Sequence, residues 1–290
     1  MQPHTVYRVY RHLILSEITS HFDPLPRIIY ADDFDRGLQG WTTLVGNYEK
    51  SLDSMLPEYR DMPGPMLSNS TMWDGGSAGS WDGTYSMKLA TRPTAGNIAV
   101  AVKRVTYRHA GPIQLEARVT FKPEASELEL SELDVRTVGV CFDLQDERHR
   151  VMPHLRYLNA MDGEAAGRWQ FKRSREHLAD IGASGKTRSH FHLAASGWED
   201  VPGGEQLLCY NEIATKQNWH YIRIGLDLES MVFTAFQCND RHFDVSGMAP
   251  MVLPAMANLW CMLNATFFVE TDRDKRAFVY VDSVVLSGDF

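Results

Sequence analysis

The chain has 290 residues, 44% of them apolar, enough to bury a sizeable core in one large unit or two smaller ones. Its 29 Lys and Arg against 37 Asp and Glu give a formal charge of −8, which excludes nucleic acid and anionic membrane surfaces as favoured partners. No stretch reaches the length of a membrane span.

The charge is uneven. Between Arg148 and His192 there are nine Lys and Arg against four Asp and Glu, with five of the eleven histidines. This segment is either a patch for an anionic small molecule or an ordinary solvated surface. Cys141, Cys209, Cys238 and Cys261 show no paired metal spacing and no dense disulfide framework. Reduced thiols in a cytoplasmic protein are expected. Arg8 and Arg11 precede only Leu13-Ile14-Leu15 before Glu17, too short an apolar run for a secretion signal.

In chain order, residues 1–27 read as an N-terminal extension, closed by Asp23-Pro24-Leu25-Pro26, where each proline restricts its predecessor. Residues 28–290 read as a single β domain entered at Ile28–Phe34. A long loop follows, rich in Gly, Pro, Ser and Asn yet carrying Tyr48, Tyr59, Trp73 and Trp81, a composition that argues for order. Strand-like runs are then expected at 85–91, 98–107, 113–121, 137–145, 154–158, 169–173, 189–194, 205–210, 221–229, 231–238, 260–270 and 278–286. The clearest is 221–238. Tyr221, Arg223, Gly225 and Asp227 alternate with Ile222, Ile224, Leu226 and Leu228, and Glu229-Ser230 supplies the break of a hairpin. Ser174–Ile181, stopped by Gly182, is the one helix expected, while Ser196-Gly197-Trp198 and Pro202-Gly203-Gly204 read as loops. Many strands without a β-α-β rhythm predict an all-β fold of two antiparallel sheets, a jelly-roll sandwich with few short helices.

Five motifs occur in an order that resembles the concanavalin A-like (laminin-G-like) sandwich superfamily, and within it bacterial proteins of this size. They are Asp33-Phe34, Gly37–Trp41, Gly139–Asp143, Asn218–Arg223 and Val281–Leu286. The resemblance covers roughly residues 28–288 and implies the fold class, with sugar binding or sugar cleavage as functions common in the superfamily. Its glucanases carry two glutamates flanking an aspartate on a short strand. Glu129–Asp134 lacks that spacing, so no catalytic glutamates are carried over.

Trp73-Asp74-Gly75-Gly76 and Trp81-Asp82-Gly83-Thr84 form a near-duplicate. Their indoles could stack on sugar rings and their carboxylates accept hydroxyl hydrogen bonds, with Tyr85 alongside. They could equally hold calcium, or be plain turns with core-anchoring tryptophans. His190 and His192 share a face if 189–194 is a strand, which could begin a zinc site with His154, His149 or Glu199, or form a solvated pair. His154 and Arg156 share another strand face, suited to a carboxylate or phosphate. Glu116, Arg118, Asp143 and Arg223 lie on the polar faces of central strands. These line a groove for a hydroxyl-rich ligand if they face the concave side of the sandwich, or are a solvated, ion-paired surface if they face the convex side.

Three readings follow. The first is carbohydrate recognition, with Trp73, Asp74, Trp81, Asp82, Tyr85, Glu116, Arg118, Asp143 and Arg223 as ligand contacts. The second is an intracellular glycoside hydrolase or polysaccharide lyase using His154, Arg156, His190 and His192. The third is a non-enzymatic assembly protein. The partners expected are a carbohydrate or anionic small molecule and a second copy of the chain, packed through the aromatic loop and Met248–Trp260. Calcium and zinc remain open as cofactors.

Overall fold

The computed structural model describes residues 17–43, 63–69, 80–121, 131–173, 197–208, 218–253, 255–257, 259 and 261–290. In chain order the strands are β1 (Arg27–Asp32), β2 (Trp41–Thr42), β3 (Met66–Asn69), β4 (Tyr85–Ala90), β5 (Ile98–Thr106), β6 (Pro112–Thr120), β7 (Val135–Gln145), β8 (Arg150–Met152) and β9 (His154–Met161). They continue as β10 (Glu164–Lys172), β11 (Trp198–Glu205), β12 (His220–Asp227), β13 (Val232–Cys238), β14 (Arg241–Phe243), β15 (Met251–Leu253), β16 (Met262–Thr271) and β17 (Phe278–Gly288).

Two antiparallel sheets result. The first runs β14-β13-β12-β6-β17-β4-β3, with β1 pairing the second half of β17. The second runs β11-β10-β9-β7-β16-β5-β2, with β8 and β15 attached beside β7. The expected two-sheet antiparallel sandwich is therefore the fold.

Alternation explains the layering, because successive side chains of a strand point to opposite faces. Ile222, Ile224 and Leu226 of β12 face Leu155, Tyr157, Trp169 and Phe267 of the other sheet in one continuous core. The central strand β17 needs a correction to this rule. Val279 and Val281 are core residues, but so are Val284 and Leu286. A bulge between Asp282 and Val285, with Ser283 at a φ of 49°, shifts the parity by one and keeps both halves facing inward.

A buried ion pair ties the sheets together at one edge. Asp32 on β1 accepts from Lys103 Nζ on β5 at 2.5 Å and from Trp41 Nε1 on β2 at 2.9 Å. Burial raises the Asp32 pKa, and the Lys103 ammonium works against that rise.

One sequence expectation holds outright and others change. The 221–238 hairpin forms as β12 and β13. The strand expected at 205–210 instead occupies Trp198–Glu205, through residues read as loop. Pairing with β10 decides this: Lys172 faces Trp198 and Gln170 faces Asp200, an edge partnership no local pattern reveals. The long loop contains β3, paired with β4. The helix expected at 174–181 and the strand at 189–194 lie outside the described residues.

Candidate functional site: two polar sheet faces

The polar faces foreseen on β6, β7 and β12 do not form one groove. β6 and β12 adjoin in the first sheet, while β7 belongs to the second. The candidate residues therefore divide between two outer faces.

On the first sheet, β6 presents Gln114, Glu116 and Arg118 beside Tyr221 and Arg223 of β12. Residues 21–25 lie across them as a strap. Asp23 N–H donates to Glu116 Oε1 at 3.0 Å, Gln114 Nε2 donates to the Asp23 carbonyl at 2.7 Å, and Leu25 N–H donates to Ser287 Oγ at 3.0 Å. Tyr221 O–H donates to Glu116 Oε1 at 2.5 Å, and burial together with that carboxylate raises the Tyr221 pKa. Arg223 Nε–H donates to Gln114 Oε1 at 2.7 Å.

Trp81 and Asp82 reach the same face. Two carboxylates hold their turn. Asp282 accepts the backbone N–H groups of Trp81 at 2.7 Å and Asp82 at 3.0 Å, and Asp35 accepts those of Thr84 at 2.7 Å and Tyr85 at 2.8 Å. Gly83 has a φ of +89°, and a Cβ there would stand 2.4 Å from Asp35 Oδ2, so only glycine suits the turn. Burial pushes Asp282 up to about 7 against the pull of three backbone amides. Trp81 packs on Arg118, and His21 meets both Trp81 and Asp82. Tyr85 is half-buried and packs on the core side of β4, away from this group. Asp143 is on the other sheet, in a bidentate pair with Arg150 at 2.9 and 2.8 Å.

The second sheet carries the denser cluster. Its register aligns a full cross-strand row, Asp200, Gln170, Arg156, Gly139 and Phe268, and beside it a second row in which Lys172 pairs with Trp198 and His154 with Cys141 and Thr266. Lys172 and His154 are buried, and Arg156 is 8% exposed. Trp198 folds over both rows: the Arg156 guanidinium carbon lies 4.0 Å and Lys172 Nζ 5.1 Å from its ring centroid, and His154 meets it edge-on at 5.9 Å. Arg156 Nε–H donates to Gln170 Oε1 at 2.8 Å, and Gln170 Nε2 donates to Asp200 Oδ1 at 2.7 Å. Glu270 Oε2 stands 3.8 Å from Arg156 Nη1.

Burial dominates the electrostatics of this face. It lowers Lys172 to about 8, helped by the neighbouring Arg156 charge, and lowers Arg156 to about 10 against the attraction of Glu270. It raises Glu270, and it raises the Cys141 thiol to about 12, so that thiol is inert. His154 Nδ1 lies 2.6 Å from the Met152 carbonyl oxygen. A carbonyl only accepts, so Nδ1 carries the proton and Nε2 is the basic nitrogen.

Trp73, Asp74, His190 and His192 lie outside the described residues. His149 pairs with Asp146 at 3.3 Å and Glu199 with Arg173 at 3.6 Å. Among the described residues, no group of three or more His, Cys, Asp or Glu side chains could hold a metal ion. Sequence reasoning passed over Gln170, Lys172 and Trp198. The first two alternate with core residues Trp169 and Phe171, a signal within reach; Trp198 sat in a segment read as loop.

The fold and its two polar faces define an antiparallel two-sheet β-sandwich protein. The chain belongs to the family described as domain of unknown function (DUF6772), whose model matches residues 11–290. No curated protein matches it. Among solved structures it is similar to a cellulose-induced protein, Cip1, at 11% identity, covering 90% of this chain and 97% of that one with a TM-score of 0.43. It is also similar to an endo-β-1,4-glucuronan lyase from the fungus Trichoderma reesei, at 8% identity over 91% and 96% with a TM-score of 0.43. A third is the Emp46p carbohydrate recognition domain, at 10% identity over 92% and 97% with a TM-score of 0.40. At such identities and scores these likenesses bear no weight for function.

Proposed function

We propose that the chain binds a uronate-containing polysaccharide on the outer face of the second sheet and cleaves it by β-elimination. The observation that carries this reading is the pair of buried cations, Arg156 and Lys172, held against Trp198, with His154 edge-on to the same indole.

Arg156 and Lys172 stand close together under one indole, with Glu270 and Asp200 as neighbouring anions. A sugar carboxylate pairs with the forked guanidinium of Arg156. The C5–H of a uronate lies next to its carboxylate. Pairing that carboxylate with Arg156 stabilises the charge that develops as C5–H ionises. His154 Nε2 takes the proton. The C5–H electrons form the C4–C5 double bond, the C4–O4 bond breaks, and the Lys172 ammonium protonates O4. The products are a chain with a new hydroxyl end and a chain with an unsaturated uronate end. Lys172 at about 8 is well matched to giving a proton near neutral pH.

Hydrolysis fits this face less well. It needs a pair of carboxylates flanking the bond. Here Glu270 stands against Arg156, and Asp200 receives the Gln170 amide. The test is incubation with polyuronates and neutral polysaccharides, following the ultraviolet absorbance of unsaturated ends. Wild type is expected to release such ends from polyuronates alone, and His154→Ala to abolish this. Release of saturated reducing ends instead would replace elimination by hydrolysis, and absence of polyuronate binding would end the reading.

A further inference from the structure

The first-sheet face contains an unmet demand for hydrogen bonds. Glu116 is fully buried, and its Oε1 is served by Asp23 N–H and Tyr221 O–H. Its Oε2 and the Nε of Arg118 are both buried with no hydrogen-bond partner among the described residues. Buried polar atoms left this way are rare and call for an occupant, because an unsatisfied buried donor or acceptor loses its hydration without replacement. The two side chains lie two residues apart on one strand face.

The missing partners have complementary chemistry. A carboxylate oxygen needs a donor, and a guanidinium N–H needs an acceptor. One hydroxyl group is both. Around it, the Arg118 guanidinium carbon lies 4.5 Å from the Trp81 ring centroid and 4.9 Å from Tyr221. A hydroxyl-bearing ring with apolar faces fits such a collar.

The strap already imitates such a ligand. Its Asp23 residue offers one donor to Glu116 and one acceptor to Gln114, as neighbouring hydroxyls would. Pro24 and Pro26 have no N–H to contribute, and Asp23's side chain is 89% exposed. Phe22, 6.2 Å from Tyr221, and His21 against Trp81 are its aromatic anchors.

We propose that the β6–β12 face is a second binding site, for the vicinal hydroxyls of a neutral sugar ring, and that residues 21–25 cover it as an internal stand-in. The site is separate from the second-sheet face and stands or falls without it. The ligand displaces the Asp23 backbone, donates to Glu116, accepts from Arg118 and lies against Trp81 and Tyr221. Covering lowers apparent affinity by the fraction of molecules in which the strap is lifted.

The experiment is calorimetric titration of the full-length protein with neutral oligosaccharides built from glucose, mannose and xylose, alongside full-length Phe22→Ala. Loosening the strap is expected to tighten binding of at least one sugar about tenfold. Arg118→Met in the Phe22→Ala background is expected to remove it, and Tyr221→Phe to weaken it while keeping the fold. A folded Phe22→Ala protein that binds no neutral sugar would overturn the proposal. So would binding untouched by Arg118→Met, or a high-resolution structure in sugar with only water bridging Glu116 and Arg118.

Discussion

Arg156 and Trp198 stack at 4.0 Å although a whole strand separates them. Trp198 opens edge strand β11, Arg156 sits on β9, and the indole bridges back over β10. The stack fixes the guanidinium plane, and Gln170 fixes its rotation through Nε. Arg156→Lys retains the charge and loses the fork, the Gln170 bond and the flat stack. Polyuronate affinity measured by calorimetry should fall about tenfold or more, while the melting temperature changes little.

Lys172 supplies a pH signature. As the proton donor it must be charged, so turnover should fall as pH rises through about 8. Burial is the main cause of that low value and Arg156 the second. NMR titration of the Lys172 side chain should therefore show its pKa moving upward in Arg156→Gln. A downward move would contradict the assigned coupling.

Gly139 lies between Arg156 and Phe268 in one cross-strand row. A Cβ there would stand 2.4 Å from Phe268 Cζ and 2.7 Å from the Leu155 carbonyl oxygen. Gly139→Ala should cost about 1–3 kcal/mol in denaturant unfolding through overpacking. Adding Phe268→Leu should recover part of this. Equal loss in the single and double variants would point to the backbone contact alone.

Asp282 predicts a slope of stability with pH. Its folded value of about 7 lies above the ordinary carboxylate value of about 4. Between these, the folded state holds the extra proton, so the Asp282 contribution declines as pH rises through that window. Asp282→Asn removes this dependence and also loses acceptor capacity toward Trp81, Asp82 and Ser283. The stability margin of wild type over the variant should therefore shrink from about pH 4 to pH 7.

What the sequence made legible was set by local alternation. Ile222, Ile224 and Leu226 betrayed their strand because burial of one face writes itself into every second residue. His154 and Arg156 were paired correctly for the same reason. Sheet membership was not legible. Nothing near Asp143 or Glu116 tells that their strands belong to different sheets, because that depends on pairings distant in the chain. Trp198 was misread because β11 contains Pro202, Gly203 and Gly204, poor strand formers tolerated at an edge. The β17 bulge at Ser283 was likewise hidden, since a parity shift leaves the apolar content unchanged.

The most direct test of the second-sheet site is to follow unsaturated-end formation from polyuronates by wild type and by Lys172→Met, with calorimetric binding measured on both. Unsaturated product from wild type, and retained binding with product formation at least a hundredfold slower in Lys172→Met, is the predicted result. Equal product from both proteins, or binding by neither, would contradict it.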